Sequence, residues 1–330
     1  MAWPGDVRLR AKLRAQGTAR KRLVMTGGTS GIGRRLIERL LAELPQWGII
    51  VLARQSPRTR ELQALSDIER LTVIEADLAS LSSVDRACNE VIRCLNSKEI
   101  DALALNAGIQ TVSHNAASAD GLELAFAVNF LAHFLIVERL KGHMSDGGRI
   151  ITTSSEVHDP DAFCLMGIGR AKWQDPTVLA DPVRSQEHIS STVDRGEARY
   201  CASKLLNLMH ARHLARELPA IGVIAFNPSV VPGTGIARDR NWLQQLGWRH
   251  IMPALVPILP GARSIERSSR DLLWLITQVD AQSISGSYVD GRQVQAGSKE
   301  SSDWTKIART IQVARSLINA RLYRNQRKPC

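Results

Sequence analysis

Tyr200 and Lys204 are the residues whose types and spacing point most directly to chemistry. Four positions apart on a helix, two side chains lie on one face and can act on one site. A free phenol has a pKa of about 10, and a nearby ammonium favours its phenolate form. The pair therefore indicates a tyrosine that gives or takes a proton at a reacting oxygen. Taken alone, it is equally compatible with a core aromatic residue beside a solvated lysine.

A glycine-rich stretch over residues 26–33 lies between an apolar run and an amphipathic helical pattern. Glycines let a backbone turn sharply and approach a pyrophosphate, while a helix N-terminus offers unpaired N–H donors. Tight turns use the same residues, so the strand-to-helix context carries the interpretation. The stretch predicts a dinucleotide-binding loop, formed by Gly27, Thr29, Ser30, Gly31, Ile32 and Gly33.

The end of the second apolar run bears on the choice of cofactor. An NAD-binding protein usually carries an acidic residue there, whereas this chain has Arg54, with Arg58 and Arg34 as possible helpers. A guanidinium can pair with the 2′-phosphate of NADP, so we predict a preference for NADPH. A solvated surface arginine is the alternative. Asp77-Leu78 follows the third run, where the carboxylate would either accept from the adenine amino group or cap the next helix.

Alternating strands and helices must position these residues. Short apolar runs alternate with longer segments of helical period, which favours a parallel sheet covered by helices on both faces. We therefore predict one α/β domain, a doubly wound Rossmann-type parallel sheet of seven strands. The expected strands are Leu23–Thr26, Ile49–Ala53, Thr72–Ala76, Ala102–Leu105, Arg149–Thr153, Val223–Phe226 and Gly286–Val289.

The domain plan contains two insertions on the substrate side. Residues 22–300 form the predicted catalytic domain, with a basic extension over residues 1–21 and a basic helical tail over residues 301–330. Irregular, proline-containing sequence over residues 156–198 and 233–262 reads as long loops, which often carry function. Their Trp, Leu, Met and Pro content predicts a large, mainly apolar substrate.

The order of these motifs resembles the short-chain dehydrogenase/reductase family, over nearly all of residues 22–292. The family's loop has the form Thr-Gly-x-x-x-Gly-x-Gly, and its catalytic tetrad is Asn, Ser, Tyr and Lys. The matching residues are Asn106-Ala107-Gly108 after the fourth strand, Asn129 in the following helix, Ser154-Ser155 after the fifth, and Tyr200-Cys201-Ala202-Ser203-Lys204 at the opening of a helix.

The resemblance implies a catalytic site of Asn129, Ser155, Tyr200 and Lys204. Tyr200 would exchange the proton, Ser155 would bind the substrate oxygen, and Lys204 would hold the nicotinamide ribose. Asn129 would hold a water linked to Lys204. Alignment with the family strand favours Ser155, seven positions after Gly148, and leaves Ser154 a structural role. His133 and His158 are interpreted as structural residues.

The same resemblance extends the cofactor site and suggests a branch. Residues 227–234 resemble the family's Pro-Gly turn, which implies cofactor contacts from Pro228, Val231 and Thr234. Ser229 stands where glycine is usual, and the threonine comes late. The long gap between serine and tyrosine resembles the protochlorophyllide reductase and retinol dehydrogenase branch. Light-driven pigment reductases carry a cysteine where this chain has Val230, so ordinary carbonyl reduction is favoured over C=C reduction.

The expected activity is hydride transfer between NADP(H) and a carbonyl or alcohol carbon. Three alternatives stay open: a non-catalytic NADP(H)-binding regulator or scaffold, a protochlorophyllide-type C=C reductase, and a sugar epimerase or dehydratase of the extended branch. The intact tetrad disfavours the regulator, and the glycine spacing disfavours the extended branch. A metal site is not suggested, because the five cysteines fit no zinc spacing.

Charge and composition limit the partners. The net charge of +11 belongs to the ends, since residues 1–22 and 301–330 each hold seven bases and one acid. The tail helix would either dock on the body or lie on an anionic membrane, and docking is favoured. No recognition motif accompanies the charge, which argues against nucleic-acid binding. Without a signal-peptide pattern a cytoplasmic location is expected, and a homo-oligomer is expected from the family.

Overall fold

The computed structural model describes residues 21–65, 70–111, 116–161, 173–233, 252–256, 259 and 261–322. These residues contain a sheet of eight strands: β1 Lys21–Thr26, β2 Trp47–Ala53, β3 Leu71–Glu75, β4 Ile100–Leu105, β5 Met144–Thr153, β6 Gly222–Asn227, β7 Tyr288–Asp290 and β8 Gln293–Gln295. Their order in the sheet is β3-β2-β1-β4-β5-β6-β7-β8. Strands β1 to β7 pair in parallel, and β8 pairs antiparallel with β7.

Helices cover both faces of this sheet. They are α1 Gly31–Glu43, α2 Pro57–Gln63, α3 Leu81–Leu95, α4 Leu124–Phe126, α5 Ala132–Leu140, α6 Pro176–Leu179, α7 Thr192–Glu217, α8 Met252–Leu255, α9 Ile265–Thr277 and α10 Trp304–Leu322. A π-helical segment, Ala127–Leu131, joins α4 to α5. Short 3-10 turns cover Lys141–His143, Glu156–His158 and Glu300–Ser302.

The core forms two layers, one on each face of the sheet. Helices α1 and α9 bury residues such as Leu36 and Leu272 against one face. Helices α3, α5, α7 and α10 bury residues such as Val91, Phe134 and Leu205 against the other. Because both faces are covered, β2 and β6 are buried almost throughout, and β1, β4 and β5 are buried over their last four residues.

The predicted doubly wound sheet is confirmed, and its strand count needs one correction. All seven predicted strands exist, and β5 begins at Met144, five residues before the predicted Arg149. The eighth strand, Gln293–Gln295, was missed because all three of its residues are exposed. An exposed edge strand of three residues, Gln-Val-Gln, is too short to show an apolar run or a sustained alternation.

Helix α7 begins earlier than predicted. It starts at Thr192, with the Ser191 side chain accepting a hydrogen bond from the Asp194 N–H as its N-cap. Tyr200 therefore lies in its third turn, and the prediction that the helix opens there was wrong. The first irregular excursion ends at residue 191, because its last seven predicted residues are helical.

Helix α10 lies on the body of the protein. Its apolar face buries Ile307, Ile311 and Ile318 in the layer shared with α7. Two of its bases form ion pairs with the body: Arg309 lies 2.8 Å from Asp175, and Arg315 lies 3.2 Å from Glu217. Within the described ranges, no helix combines the length and the apolar content needed to cross a lipid bilayer.

Candidate functional site

A cleft of about 690 Å³ opens where the parallel strands end. The carboxyl ends of strands in such a sheet are the usual place for a ligand. Of the residues predicted to bind or react, the cleft wall contains Gly27, Thr29, Ser30, Gly31, Ile32, Arg54, Asp77, Leu78, Asn106, Ala107, Gly108, Ser155, Tyr200, Lys204, Pro228 and Val231. Gly33 and Asn129 are buried and are not among the residues of this wall, and Thr234 lies outside the described residues.

The glycine loop can accept a dinucleotide because its backbone is close to the neighbouring strand. Gly27 has a φ of +72°, and a Cβ there would lie 2.8 Å from the Ala107 nitrogen. A Cβ on Gly33 would lie 2.2 Å from the Gly27 carbonyl oxygen, so this glycine packs the helix against the loop. The Ser30 side chain makes no capping hydrogen bond to α1. The first N–H groups of α1 are thus available to a phosphate.

Arg54 and Arg58 lie in the wall beside the end of β2, and both are exposed. Arg34, expected as a third helper, instead pairs with Glu38 at 2.9 Å and lies outside the described lining. Its position one turn along α1 explains the pairing, since Glu38 follows it by four residues. Two guanidinium groups therefore define this end of the cleft.

Asp77 does not cap the helix that follows it. The cap of α3 is Ser80, whose side chain accepts a hydrogen bond from the Ser83 N–H at 3.3 Å. Asp77 uses Oδ1 to accept from the Ala79 N–H at 3.0 Å and lies in the cleft wall. The capping alternative was wrong, and binding of the adenine amino group stays a prediction.

Lys204 is a buried residue of the cleft wall, close to Tyr200. Its Nζ donates a hydrogen bond to the Thr153 carbonyl at 3.0 Å and lies 5.3 Å from the centroid of the Tyr200 ring. A Cβ on Gly108 would lie 3.4 Å from the same Nζ, so this glycine keeps the ammonium open to the cleft. Burial lowers the pKa of Lys204 from 10.5 to about 8.

Asn129 lies in the π-helical segment Ala127–Leu131, an irregularity often found at functional sites. Its Oδ1 accepts from the Ile109 N–H at 2.8 Å. Its Nδ2 donates to the Ile109 carbonyl at 2.9 Å and to the Ser203 hydroxyl at 3.0 Å. The amide therefore fixes the chain beside Gly108 to helix α7, and the water-holding role expected for it stays a prediction.

The two serines after β5 have different surroundings. The Ser154 hydroxyl is buried and donates to the Lys204 backbone carbonyl at 2.9 Å, which ties β5 to α7. Ser155 is half-buried in the cleft wall and precedes the 3-10 turn Glu156–His158. This arrangement favours Ser155 as the serine that meets a substrate oxygen.

His133 is buried and structural, yet it reaches both the glycine-loop strand and the Asn129 turn. Its Nδ1 lies 3.0 Å from the Asn129 carbonyl, and its Nε2 lies 3.0 Å from the Thr26 hydroxyl. Burial lowers the pKa of His133 to about 3, so the ring is neutral. Nδ1 must then carry the proton and donate to the carbonyl, while Thr26 donates to Nε2. Sequence reasoning missed this link because it joins residues 107 positions apart.

His158 anchors the turn that carries Ser155. Its Nε2 accepts from the Ser298 N–H at 3.0 Å, so Nδ1 carries the proton and donates to the Ser155 carbonyl at 2.7 Å. Burial lowers its pKa, which keeps the ring neutral. The structural role predicted for His158 agrees with these contacts, although its partner Ser298 was not foreseen.

Glu156 is an acidic residue of the cleft that sequence reasoning overlooked. It follows Ser155 directly, and an acid beside the candidate serine was the available signal. The Asn227 side chain hydrogen-bonds it, and Asp290 and Arg263 lie near it. Burial, together with the Asp290 charge, raises the pKa of Glu156 to about 7.

Comparison with known proteins gives a family match over part of the chain and relatives that match most of it. A family profile described as short chain dehydrogenase matches residues 21–164. "Short-chain dehydrogenase iccH" of Talaromyces variabilis is 27% identical, over 91% of this chain and 95% of that protein. "Retinol dehydrogenase 13" of Mus musculus is 27% identical, over 89% of this chain and 84% of that protein.

A solved structure shares the fold at lower identity. The NADPH-bound carbonyl reductase from chicken fatty liver is 18% identical to this chain. It superposes with a TM-score of 0.60, covering 85% of this chain and all of that one (100%). At this identity the likeness establishes the architecture alone.

Proposed function

We propose that the chain is an NADP(H)-dependent oxidoreductase of the short-chain dehydrogenase/reductase family, acting on a bulky, mainly apolar carbonyl or alcohol. One observation carries the proposal: Tyr200, Lys204 and Ser155 line the same cleft as the glycine loop. A proton-transferring group and a dinucleotide cradle thereby meet in one place. The presence of both features in one cleft also disfavours a regulator that only binds NADP(H).

The cofactor would extend across the cleft from Arg54 to Lys204. Gly27, Ser30 and the first N–H groups of α1 would hold its pyrophosphate, and Lys204 its nicotinamide ribose. When bound there, the nicotinamide would supply or accept the hydride. Asn106 supports the loop, because its Nδ2 donates to the Gly27 carbonyl at 3.2 Å.

Side chains of the protein would exchange the proton with the substrate oxygen and stabilise the charge on that oxygen. In reduction, Tyr200 would donate a proton to the carbonyl oxygen, and in oxidation it would accept one. Ser155 would donate a hydrogen bond to the same oxygen and stabilise its developing charge. The Lys204 ammonium, 5.3 Å from the Tyr200 ring centroid, would favour the tyrosine's ionised form.

The cofactor proposal is tested by calorimetric titration with NADPH and NADH. We expect tighter binding of NADPH, because Arg54 and Arg58 line the cleft beside the end of β2, where the adenine ribose would lie. Equal affinities would contradict the preference. Failure of both to bind would remove the cofactor proposal, while binding without consumption across a carbonyl panel would favour the regulator.

Arg54→Gln should weaken NADPH binding by roughly 10- to 100-fold, the equivalent of one charge-assisted hydrogen bond. NADH affinity should change little, because it lacks the 2′-phosphate. Arg60→Gln is the matched control, since Arg60 is exposed on α2 but lies outside the described lining. Equal losses for the two cofactors in Arg54→Gln would show that Arg54 does not read the phosphate.

The substrate proposal rests on the apolar part of the wall. Ile109, Leu124, Val128 and Val157 line the cleft near Ser155 and Tyr200. Such a surface binds apolar groups by removing them from water. We expect kcat/KM for aryl or long-chain ketones to exceed that for small polar ketones by roughly tenfold or more. Better turnover of small polar carbonyls would overturn this part of the proposal.

A further inference from the structure

Glu156 stands apart from the other acid of the cleft. Asp77 and Glu156 are the acidic residues in the described part of the wall. Asp77 follows β3 and Glu156 follows β5, and these strands are four positions apart in the sheet. At the usual strand spacing that places them roughly 20 Å apart. Glu156 therefore belongs to the end of the cleft where Ser155 and Tyr200 would meet a substrate.

The polar neighbours of Glu156, Arg263 and Asn227, also bind a second acidic residue, Asp290. Arg263 lies 2.8 Å from Asp290 Oδ1, and Asn227 Nδ2 donates to that same oxygen at 3.1 Å. The Asn227 amide also binds Glu156, and its Oδ1 accepts from the Ser229 N–H at 2.9 Å. Two carboxylates thus share one guanidinium and one amide.

This sharing leaves the Glu156 carboxyl incompletely compensated. A carboxylate that is partly buried without enough donors is costly, and it takes up a proton or another donor. Burial raises the pKa of the Glu156 carboxyl to about 7, and the charge of Asp290 contributes in the same direction. A hydroxyl suits such a group, because it donates to the ionised carboxylate and accepts from the protonated acid.

The backbone around Glu156 is fixed before any ligand arrives. His158 bonds the Ser155 carbonyl on one side and the Ser298 N–H on the other. The turn Glu156–His158 is thereby clamped to the segment that precedes α10. A ligand that bonds Glu156 has little loop ordering to oppose it.

We propose that Glu156 is a specificity-determining residue whose carboxyl binds a hydroxyl group of the substrate close to the reacting carbonyl. The proposal rests on the function proposed above and narrows its substrate class to bulky hydroxyketones, or diols in the oxidative direction. Ser155 and Tyr200 hold the reacting oxygen, and Glu156 holds the neighbouring one.

The test compares ketone pairs that differ in one hydroxyl. A series of aryl ketones carries the hydroxyl at successive carbons from the carbonyl, and each is paired with its deoxy analogue. For at least one position we expect wild-type kcat/KM to favour the hydroxyketone by roughly tenfold or more, the effect of a hydrogen bond to a charged group. Ratios near one at every position would overturn the proposal without any variant.

The variants assign the preference to the carboxyl. Glu156→Leu should reduce the ratio to about one, whereas Glu156→Gln, which keeps an acceptor, should retain part of it. Glu90→Gln is the control, because Glu90 is exposed on α3 and lies outside the described lining. A full preference in a folded Glu156→Leu would assign the hydroxyl to another residue and refute the inference.

The outcomes separate this inference from the proposed function. If both members of every pair are turned over with equal kcat/KM, Glu156 does not determine specificity, and the proposed oxidoreductase activity still stands. Absence of turnover for every ketone, despite NADPH binding, removes the proposed function and the inference with it.

Discussion

Tyr200→Phe is expected to lower kcat by roughly 10²- to 10⁴-fold, the usual contribution of a general acid or base. The ring is 6% exposed, so phenylalanine preserves its packing while removing the group that exchanges the proton. NADPH affinity and the free energy of unfolding should stay close to those of the wild type. Steady-state kinetics with a bulky ketone, calorimetric titration and urea unfolding measure the three quantities.

Tyr288→Phe is the matched control for this experiment. Tyr288 is also buried, in β7, but it lies outside the described lining of the cleft. We expect it to keep most of its turnover. Wild-type kcat in Tyr200→Phe would refute the proton-transfer role, and loss of NADPH binding would indicate a role in the cofactor site instead.

Lys204→Met should lose activity and gain stability. Turnover should fall by at least about 10²-fold, because the variant lacks the charge that favours the ionised tyrosine. The pKa of this buried lysine lies at about 8 rather than 10.5. That difference corresponds to a cost of about 3 kcal/mol for keeping the ammonium in the folded protein. The lost bond to the Thr153 carbonyl offsets about 1 kcal/mol of the gain.

The pH dependence of this stability difference has a definite sign. Between pH 8 and pH 10.5 the unfolded wild type binds more protons than the folded one, so its stability rises with pH. The penalty is therefore fully present below about pH 8 and disappears above about pH 10.5. The advantage of Lys204→Met in urea unfolding should be largest at neutral pH and shrink across that window.

Lys98→Met is the control for Lys204→Met, because Lys98 is exposed after α3. A surface substitution of this kind changes the free energy of unfolding by about 0.5 kcal/mol or less, both at neutral and at alkaline pH. A destabilised Lys204→Met at neutral pH would show that the ammonium is better compensated than its surroundings indicate. Wild-type turnover in Lys204→Met would show that Lys204 is not one of the catalytic residues.

The parts of the fold that were predictable have strong local patterns. Strands β1 to β7 read as apolar runs because parallel strands are buried on both faces. Strand β8 and the first two turns of α7 carry no such pattern. The start of α7 depends on the Ser191 cap, a short signal that the preceding irregular sequence obscured.

The same contrast holds in the candidate site. The glycine loop, Tyr200 and Lys204 were predictable because each motif is contiguous, or spans one helical turn. Glu156, His133 and His158 each also contact a residue that is far away along the chain. His158 meets Ser298 across 140 positions, for example. No local pattern encodes such pairs, and only the packed sheet brings them together.

The link between His158 and Ser298 also sets an order of events during synthesis. A nascent chain contains Ser155, Tyr200 and Lys204 well before it contains Ser298, whose N–H fixes the turn. At about 5–20 residues per second, Ser298 follows Tyr200 by roughly 5 to 20 seconds. The turn that carries Ser155 can therefore be fixed only after Ser298 has been synthesised, which is later than the synthesis of Ser155, Tyr200 and Lys204.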